Sequence, residues 1–260
     1  MEEYNLQEIR IEDYNSIKEY YQMRRPETAD SNILDLYIWL NCYPTWYFTN
    51  DKGLMWVAKS EDGQYYSSIP CCKDEDLKEC FLETQKYFNE VLQKKLVMYV
   101  VDKAAVDLLQ LPEDEYVVVP DRTYADYVYD AEKLRTFSGK KYHKKKNHLN
   151  AFKREYEGRY EFKFLSKKDE PEILAFLEDW KKHKSDTEEH EFIDSEAVGI
   201  KYILEHEEVF DYKIGAVYVD NKLEAFTIGN YESRKIWFIF RLRRRILKSE
   251  GFIHIFAASF

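Results

Sequence analysis

Two hundred and sixty residues, 31.5 kDa, with 45% apolar and 17% aromatic side chains, carry more buriable surface than a disordered chain holds, even at 34% charge. Eight Gly and six Pro exclude a fibrous or low-complexity chain, and no stretch nears the roughly 20 apolar residues of a membrane-spanning helix. A formal net charge of −10 disfavours non-specific binding of polyanions, so such a partner has to meet a local basic patch.

In chain order, Leu6, Ile9, Ile11, Tyr14, Ile17 and Tyr20 have loosely helical spacing. Asp30-Ser31-Asn32 then offers caps for a second helix bearing Ile33, Leu34, Leu36, Tyr37, Trp39 and Leu40. Tyr47-Phe48 and Leu54 to Ala58, joined across Asn50-Asp51-Lys52-Gly53, predict a hairpin, and Tyr65 to Ile69 a third strand. Asp74 to Leu92 is helical. Leu96 to Val101 reads as a strand, Ala104 to Leu109 as a helix and Tyr116 to Val119 as a strand, closing an α+β unit near Pro120.

The second half repeats this style. Helices are predicted over Tyr129 to Phe137, Lys141 to Tyr156, Pro171 to Lys184 and Ser195 to Glu207, with Pro171 suited to a first turn. Tyr160 to Leu165 alternates as a half-buried strand. Ile214 to Val219 and Leu223 to Ile228, joined by Asp220-Asn221-Lys222, form the clearest hairpin. The expected division is 1–120, 121–234 and an anomalous tail, 235–260.

Charge separates the halves: residues 1–130 sum to −13 and residues 131–260 to +3. The opening Met1-Glu2-Glu3-Tyr4 lacks the basic and apolar regions of a secretory signal, and four Cys do not make a disulfide framework. A cytoplasmic protein is expected.

The sharpest local feature is residues 139–154, with seven bases, two His and no acid. Lys141, Lys144, Lys145 and Lys146 cover more than one helix face, while Leu149, Phe152 and Tyr156 form an apolar stripe. Such a run serves either as a solvated face or as a contact for phosphates, which clustered bases and helix amides both favour. The candidate substrate-binding residues are Lys140, Lys141, Tyr142, His143, Lys144, Lys145, Lys146 and Asn147. Cys71, Cys72 and Cys80 have no recognised zinc spacing, and no metal is expected. Asp121, Asp126 and Asp130, interleaved with Tyr124, Tyr127 and Tyr129, could hold a base or simply be solvated. The sequence has no Gly-x-Ser-x-Gly, phosphate loop or dinucleotide fingerprint, so hydrolase, kinase and dehydrogenase readings lose ground. It names no catalytic residue.

Asp126-Tyr127-Val128-Tyr129, Leu134, and the run from Ser138-Gly139-Lys140 through Lys144-Lys145-Lys146-Asn147 to Ala151-Phe152 resemble the signature of bacterial proteins with a phosphatidylglycerol lysyltransferase C-terminal domain. Leu36 to Trp39, Trp180 and Leu223 to Gly229 extend the resemblance over about residues 5–233. It implies tandem GNAT-like acyltransferase units with mixed, mostly antiparallel sheets and flanking helices. It also implies acyl-coenzyme A or aminoacyl-tRNA as donor, with no firm cofactor. The rival is a non-catalytic module binding RNA or anionic lipid head groups through the same lysines. The membrane-embedded half of a lipid lysyltransferase is absent from these residues. Oligomeric state is not expressed in the sequence.

The tail departs from that pattern: Phe238-Ile239-Phe240-Arg241-Leu242-Arg243-Arg244-Arg245 stands where relatives carry a Glu-Lys-Ala-Asp stretch. A reading frame shifted near Arg234 or Lys235 is expected, since permitted codons for Phe240 to Leu247 can spell Gln-Ala-Glu-Lys-Ala-Asp-Pro in another frame; the alternative is a genuine basic strand and apolar tail. The expectation is a second unit truncated or altered at its C-terminus, with transferase activity weakened or lost.

Overall fold

The computed structural model describes residues 4–24, 28, 31–122, 125, 126, 130–182, 187–230 and 241–244. The chain divides into two compact units, Met1–Asp126 and Tyr127–Phe260. Each combines helices with an antiparallel sheet, an α+β architecture.

The first unit runs β1 (Gln7–Glu8), α1 (Tyr14–Tyr21), α2 (Ile33–Trp39), β2 (Thr45–Thr49), β3 (Gly53–Lys59), β4 (Tyr65–Tyr66), β5 (Cys71–Cys72), α3 (Leu77–Lys86) and α4 (Lys103–Leu109). Its sheet order is β1-β2-β3-β4, with β5 also on β3. Local chemistry sets the boundaries. The Asn32 side chain accepts from the Leu34 amide at 2.8 Å and starts α2, and Asp102 accepts from the Ala105 amide at 2.7 Å and starts α4. The turn between β2 and β3 closes because Asn50 Oδ1 accepts from both Lys52 and Gly53 amides at 2.9 Å. Phe48, Met55, Val57, Leu77, Phe81 and Phe88 form the core between sheet and α3. After Lys86 the helix continues as a π turn to Val91.

Two predicted strands do not form. Over Leu96 to Val101, Ser67 donates to the Val97 carbonyl at 2.9 Å and accepts from the Tyr99 amide at 3.1 Å, a single parallel bridge centred on Met98. Val100 then turns to a φ of 56°, which no strand contains. Over Tyr116 to Val119, the turn closed on the Pro112 carbonyl leaves Tyr116 packed on Phe81 while the three valines project to solvent without a ladder among the described residues. The opening helix is likewise shorter than its spacing suggests, because Gln7 and Glu8 pair with Tyr47 and Trp46.

The second unit runs α5 (Ala131–Thr136), α6 (His143–Glu155), β6 (Tyr160–Leu165), α7 (Glu170–Lys182), α8 (Thr187–Glu205), β7 (Lys213–Val219), β8 (Lys222–Gly229) and β9 (Arg241–Arg244). Its sheet order is β6-β7-β8-β9, antiparallel throughout. A capping box between Ser166 and Asp169 leads into α7. The β7–β8 turn places Asp220 and Asn221 at φ of 51° and 63°, the left-handed pair that matches strand twist in a two-residue hairpin. Phe176 of α7 meets Phe226 of β8 edge-to-face at 5.4 Å, seating α7 on the sheet. Apart from β9, residues 235–260, on which the expectation of a shifted frame falls, lie outside the described residues.

Candidate functional site

The basic segment owes its position to how α5 stops. Phe137 adopts the left-handed conformation at a φ of 50°, and Gly139 follows at φ 91° and ψ 157°, a region open essentially to glycine alone. The chain thereby re-aims, makes one 3-10 turn over Lys140–Tyr142, and enters α6 at His143.

Tyr142, Leu149, Phe152 and Tyr156 are all buried, and their common face packs with Phe137 on Val217 and Val219 of β7 and Ala225 of β8. Fixing that face fixes the other. Lys140, Lys141, His143, Lys144, Lys146 and Asn147 are exposed, whereas Lys145 and His148 are half-buried. Of the eight candidate residues the structure thus turns six outward, keeps Lys145 at the margin, and gives Tyr142 to the core. Tyr142 is a packing residue here.

No acidic side chain occupies the first turn of α6. Lysines gathered at a helix N-terminus oppose the positive end of the helix dipole, by about 0.3–1 kcal/mol for each charge close to the terminus. An anion seated there would relieve both the dipole and the mutual repulsion of the lysines.

Other polar groups in this unit escaped sequence reasoning. Glu224 is half-buried on β8, where the register shifts so that Tyr218 pairs with Leu223 but Val217 with Ala225, leaving Glu224 as the extra residue of a bulge. Burial pushes its carboxyl above the usual range, against the opposing pull of Lys222. Its charge in turn helps raise the Tyr156 phenol, whose shift comes first from burial. Arg159 reaches Asp220 Oδ1 through Nε at 2.8 Å and Oδ2 through its terminal nitrogen, and lies over the Tyr156 ring at 5.7 Å. Only the mismatch of two against one in the hairpin register could have signalled Glu224, and a single sequence does not express register.

The remaining candidates resolve into structural roles or stay apart. Asp130 caps α5, its Oδ1 accepting from the Lys133 amide at 2.9 Å, and that bond with the Lys133 ammonium holds its carboxyl low. Asp121 and Asp126 are exposed, and Tyr124, Tyr127 and Tyr129 lie outside the described residues. The cysteines are free thiols. Among the described residues no His, Cys, Asp and Glu side chains gather in threes as a metal site would need, and no helix is long and apolar enough to cross a membrane.

Comparison with known proteins adds what geometry alone does not. The pattern of the family described as phosphatidylglycerol lysyltransferase, C-terminal, matches residues 22–258. A conserved protein of unknown function from Bacteroides thetaiotaomicron VPI-5482 superposes with a TM-score of 0.84 at 23% identity, covering 99% of this chain and 85% of that one. The C-terminal domain of a proposed lysylphosphatidylglycerol synthetase from Agrobacterium fabrum superposes with a TM-score of 0.54 at 11% identity, over 95% of this chain and 73% of that one. At those identities the likeness is one of fold. An uncharacterized Mycoplasmoides gallisepticum protein is 28% identical over 100 residues, 38% of this chain but only 32% of that relative's length.

Proposed function

The chain belongs to the phosphatidylglycerol lysyltransferase C-terminal family, and on that footing we propose that it is an acyl- or aminoacyl-transferase type protein whose α6 lysines receive a phosphate-bearing donor, tRNA or coenzyme A. The observation that carries the reading is the division of α6 into a buried aromatic face and an outward basic end at the helix N-terminus. That arrangement gives a polyanion point charges on Lys140, Lys141, Lys144 and Lys146 at the positive end of a helix dipole.

From β1 and from β6 onward the units share one connection order, a strand, two helices and then antiparallel strands in sequential sheet order, with β5 off that path and α5 and α6 preceding β6. This order supports a tandem, GNAT-like parse, with the unit boundary near residues 120–126. In that fold the strand after the central hairpin and the helix that follows it line the donor cleft, and here the strand in that place is β9. Chemistry in such a site is mainly positioning, with an acceptor amine losing a proton to a base and amides stabilising the oxyanion. The family match runs through residue 258; we infer from the sequence of residues 235–260 alone that an altered tail weakens turnover while donor binding persists.

The rival reading, a binding module for RNA or anionic head groups, uses the same exposed lysines and needs no base. Thermal stabilisation measured with acyl-coenzyme A and, separately, with aminoacyl-tRNA finds the donor, and transfer of a labelled acyl or aminoacyl group from it tests the leading reading, since an RNA-binding module is stabilised by tRNA without forming product. A rise with vesicles alone selects the rival.

A further inference from the structure

Gly53 opens β3 directly opposite Cys72 of β5. A Cβ built on it would lie 2.6 Å from Cys72 Cβ, 2.9 Å from the Cys71 carbonyl oxygen and 3.0 Å from Cys80 Sγ. The missing side chain therefore leaves a space bordered by both Cys72 of the strand and Cys80 of the helix. Cys72 and Cys80 are both fully enclosed, and Cys71, adjacent on the strand and so facing the opposite way, is half-exposed. The Cys72 thiol donates to the Pro70 carbonyl at 3.9 Å. Its interaction with Cys80 lowers Cys80 toward the thiolate, and that interaction together with burial raises Cys72.

We propose that Cys72 and Cys80 are a reversible dithiol–disulfide pair which, on oxidation by a peroxide, staples β5 to α3. Cys80, the sulfur favoured as thiolate, attacks one peroxide oxygen and the O–O bond breaks. Cys80 becomes a sulfenic acid, and the departing hydroxide takes up the thiol proton as water. Cys72 sulfur then attacks Cys80 sulfur, the S–O bond breaks, the oxygen leaves as a second water with the Cys72 proton, and the S–S bond forms. Two thiols and one peroxide give one disulfide and two waters. A low-molecular-weight thiol returns the pair to its starting state by exchange.

Enclosure makes the reaction conditional on opening. β5 is a two-residue strand held on β3 by the pairs Gly53–Cys72 and Leu54–Cys71, so it is the part of this sheet able to part first. Once oxidised, the link ties that strand to the helix and opposes the opening that allowed it.

Peptide mapping of the full chain after hydrogen peroxide tests this. Lys73 and Lys78 lie between the two cysteines, so trypsin separates the Cys71–Cys72 peptide from the Cys80 peptide unless a disulfide joins them. The expected result is a joined pair that dithiothreitol releases, retained in Cys71→Ser and lost in Cys72→Ala, together with a higher urea midpoint for oxidised protein. Should Cys72→Ala fail to fold, fragment-ion sequencing of the wild-type joined peptide assigns the partner directly. Peptides that stay separate and alkylatable, a link through Cys71, or a lower midpoint on oxidation would each overturn the proposal.

Discussion

The Tyr218 hydroxyl donates to Glu172 Oε2 at 2.5 Å, tying the end of β7 to the first turn of α7. Burial, and then this carboxylate, raise the phenol far above its ordinary range, while Lys163 Nζ lies 4.7 Å from the ring centroid on the neighbouring strand. Tyr218→Phe should cost about 1.5–3 kcal/mol at pH 7, as expected when a hydrogen bond to a charged group is removed. A phenol raised in the folded state contributes stability that is complete below the unfolded value near 10 and is lost as pH climbs above it. Urea midpoints between about pH 9 and pH 11 should fall more steeply in wild type than in Tyr218→Phe. Parallel slopes would exclude Tyr218 as their source.

Arg24 and Asp102 form a buried ion pair at 3.1 Å, with side chains 7% and 2% exposed, and the same carboxylate caps α4. Asp102→Asn keeps a side-chain oxygen for the cap but strands the guanidinium. Breaking one half of such a pair costs about 3–5 kcal/mol, and equilibrium unfolding in urea should register that loss. A change below about 1 kcal/mol would mean water reaches Arg24 and screens it.

Gly53→Ala forces a methyl group against the Cys72 side chain and the Cys71 backbone. Overpacking of this kind costs about 1–3 kcal/mol. Gly139→Ala has open space, with nothing within 4 Å, yet meets an unfavourable backbone at φ 91°. That strain is also about 1–3 kcal/mol, and it should loosen the turn that sets α6. The two variants therefore differ in cause: the clash of Gly53→Ala is with the Cys72 Cβ and the Cys71 carbonyl oxygen, both of which Cys72→Ala retains, so trimming Cys72 rescues neither variant.

Glu224 loses stability by ionising in a half-buried position. Its folded-state value is raised, so the unfolded chain ionises first and the penalty appears as pH rises through the range above the ordinary carboxylate value. Glu224→Gln is accordingly more stable than wild type at pH 7, and the difference vanishes near about pH 4. Equal denaturation midpoints at both pH values would show that the carboxylate is fully hydrated.

Patterns that depend on near neighbours were the ones legible in the sequence. The hairpin expected over 214–219 and 223–228 appears over Lys213–Val219 and Lys222–Gly229, because its left-handed turn needs only Asp220 and Asn221. The stripe of Leu149, Phe152 and Tyr156 marked the buried face of α6, which forms over His143–Glu155. Long-range pairing was not legible. Leu96 to Val101 has strand composition, but a ladder needs a partner in register, and only Met98 finds one. Glu224 and the Tyr218–Glu172 bond arise from register and from pairings 46 residues apart, which no local spacing encodes. The basic run was visible, yet its order of exposure came from the packing of Tyr142.

The central claim is that the outward lysines of α6 hold a phosphate-bearing donor, and the affinity of aminoacyl-tRNA as a function of salt tests it most directly. Replacing Lys141, Lys144 and Lys146 together with Ala should weaken binding at least tenfold. The slope of log affinity on log salt should flatten by about 0.7–0.9 for each phosphate that the variant no longer neutralises. Unchanged affinity and slope in the folded triple variant would contradict the account.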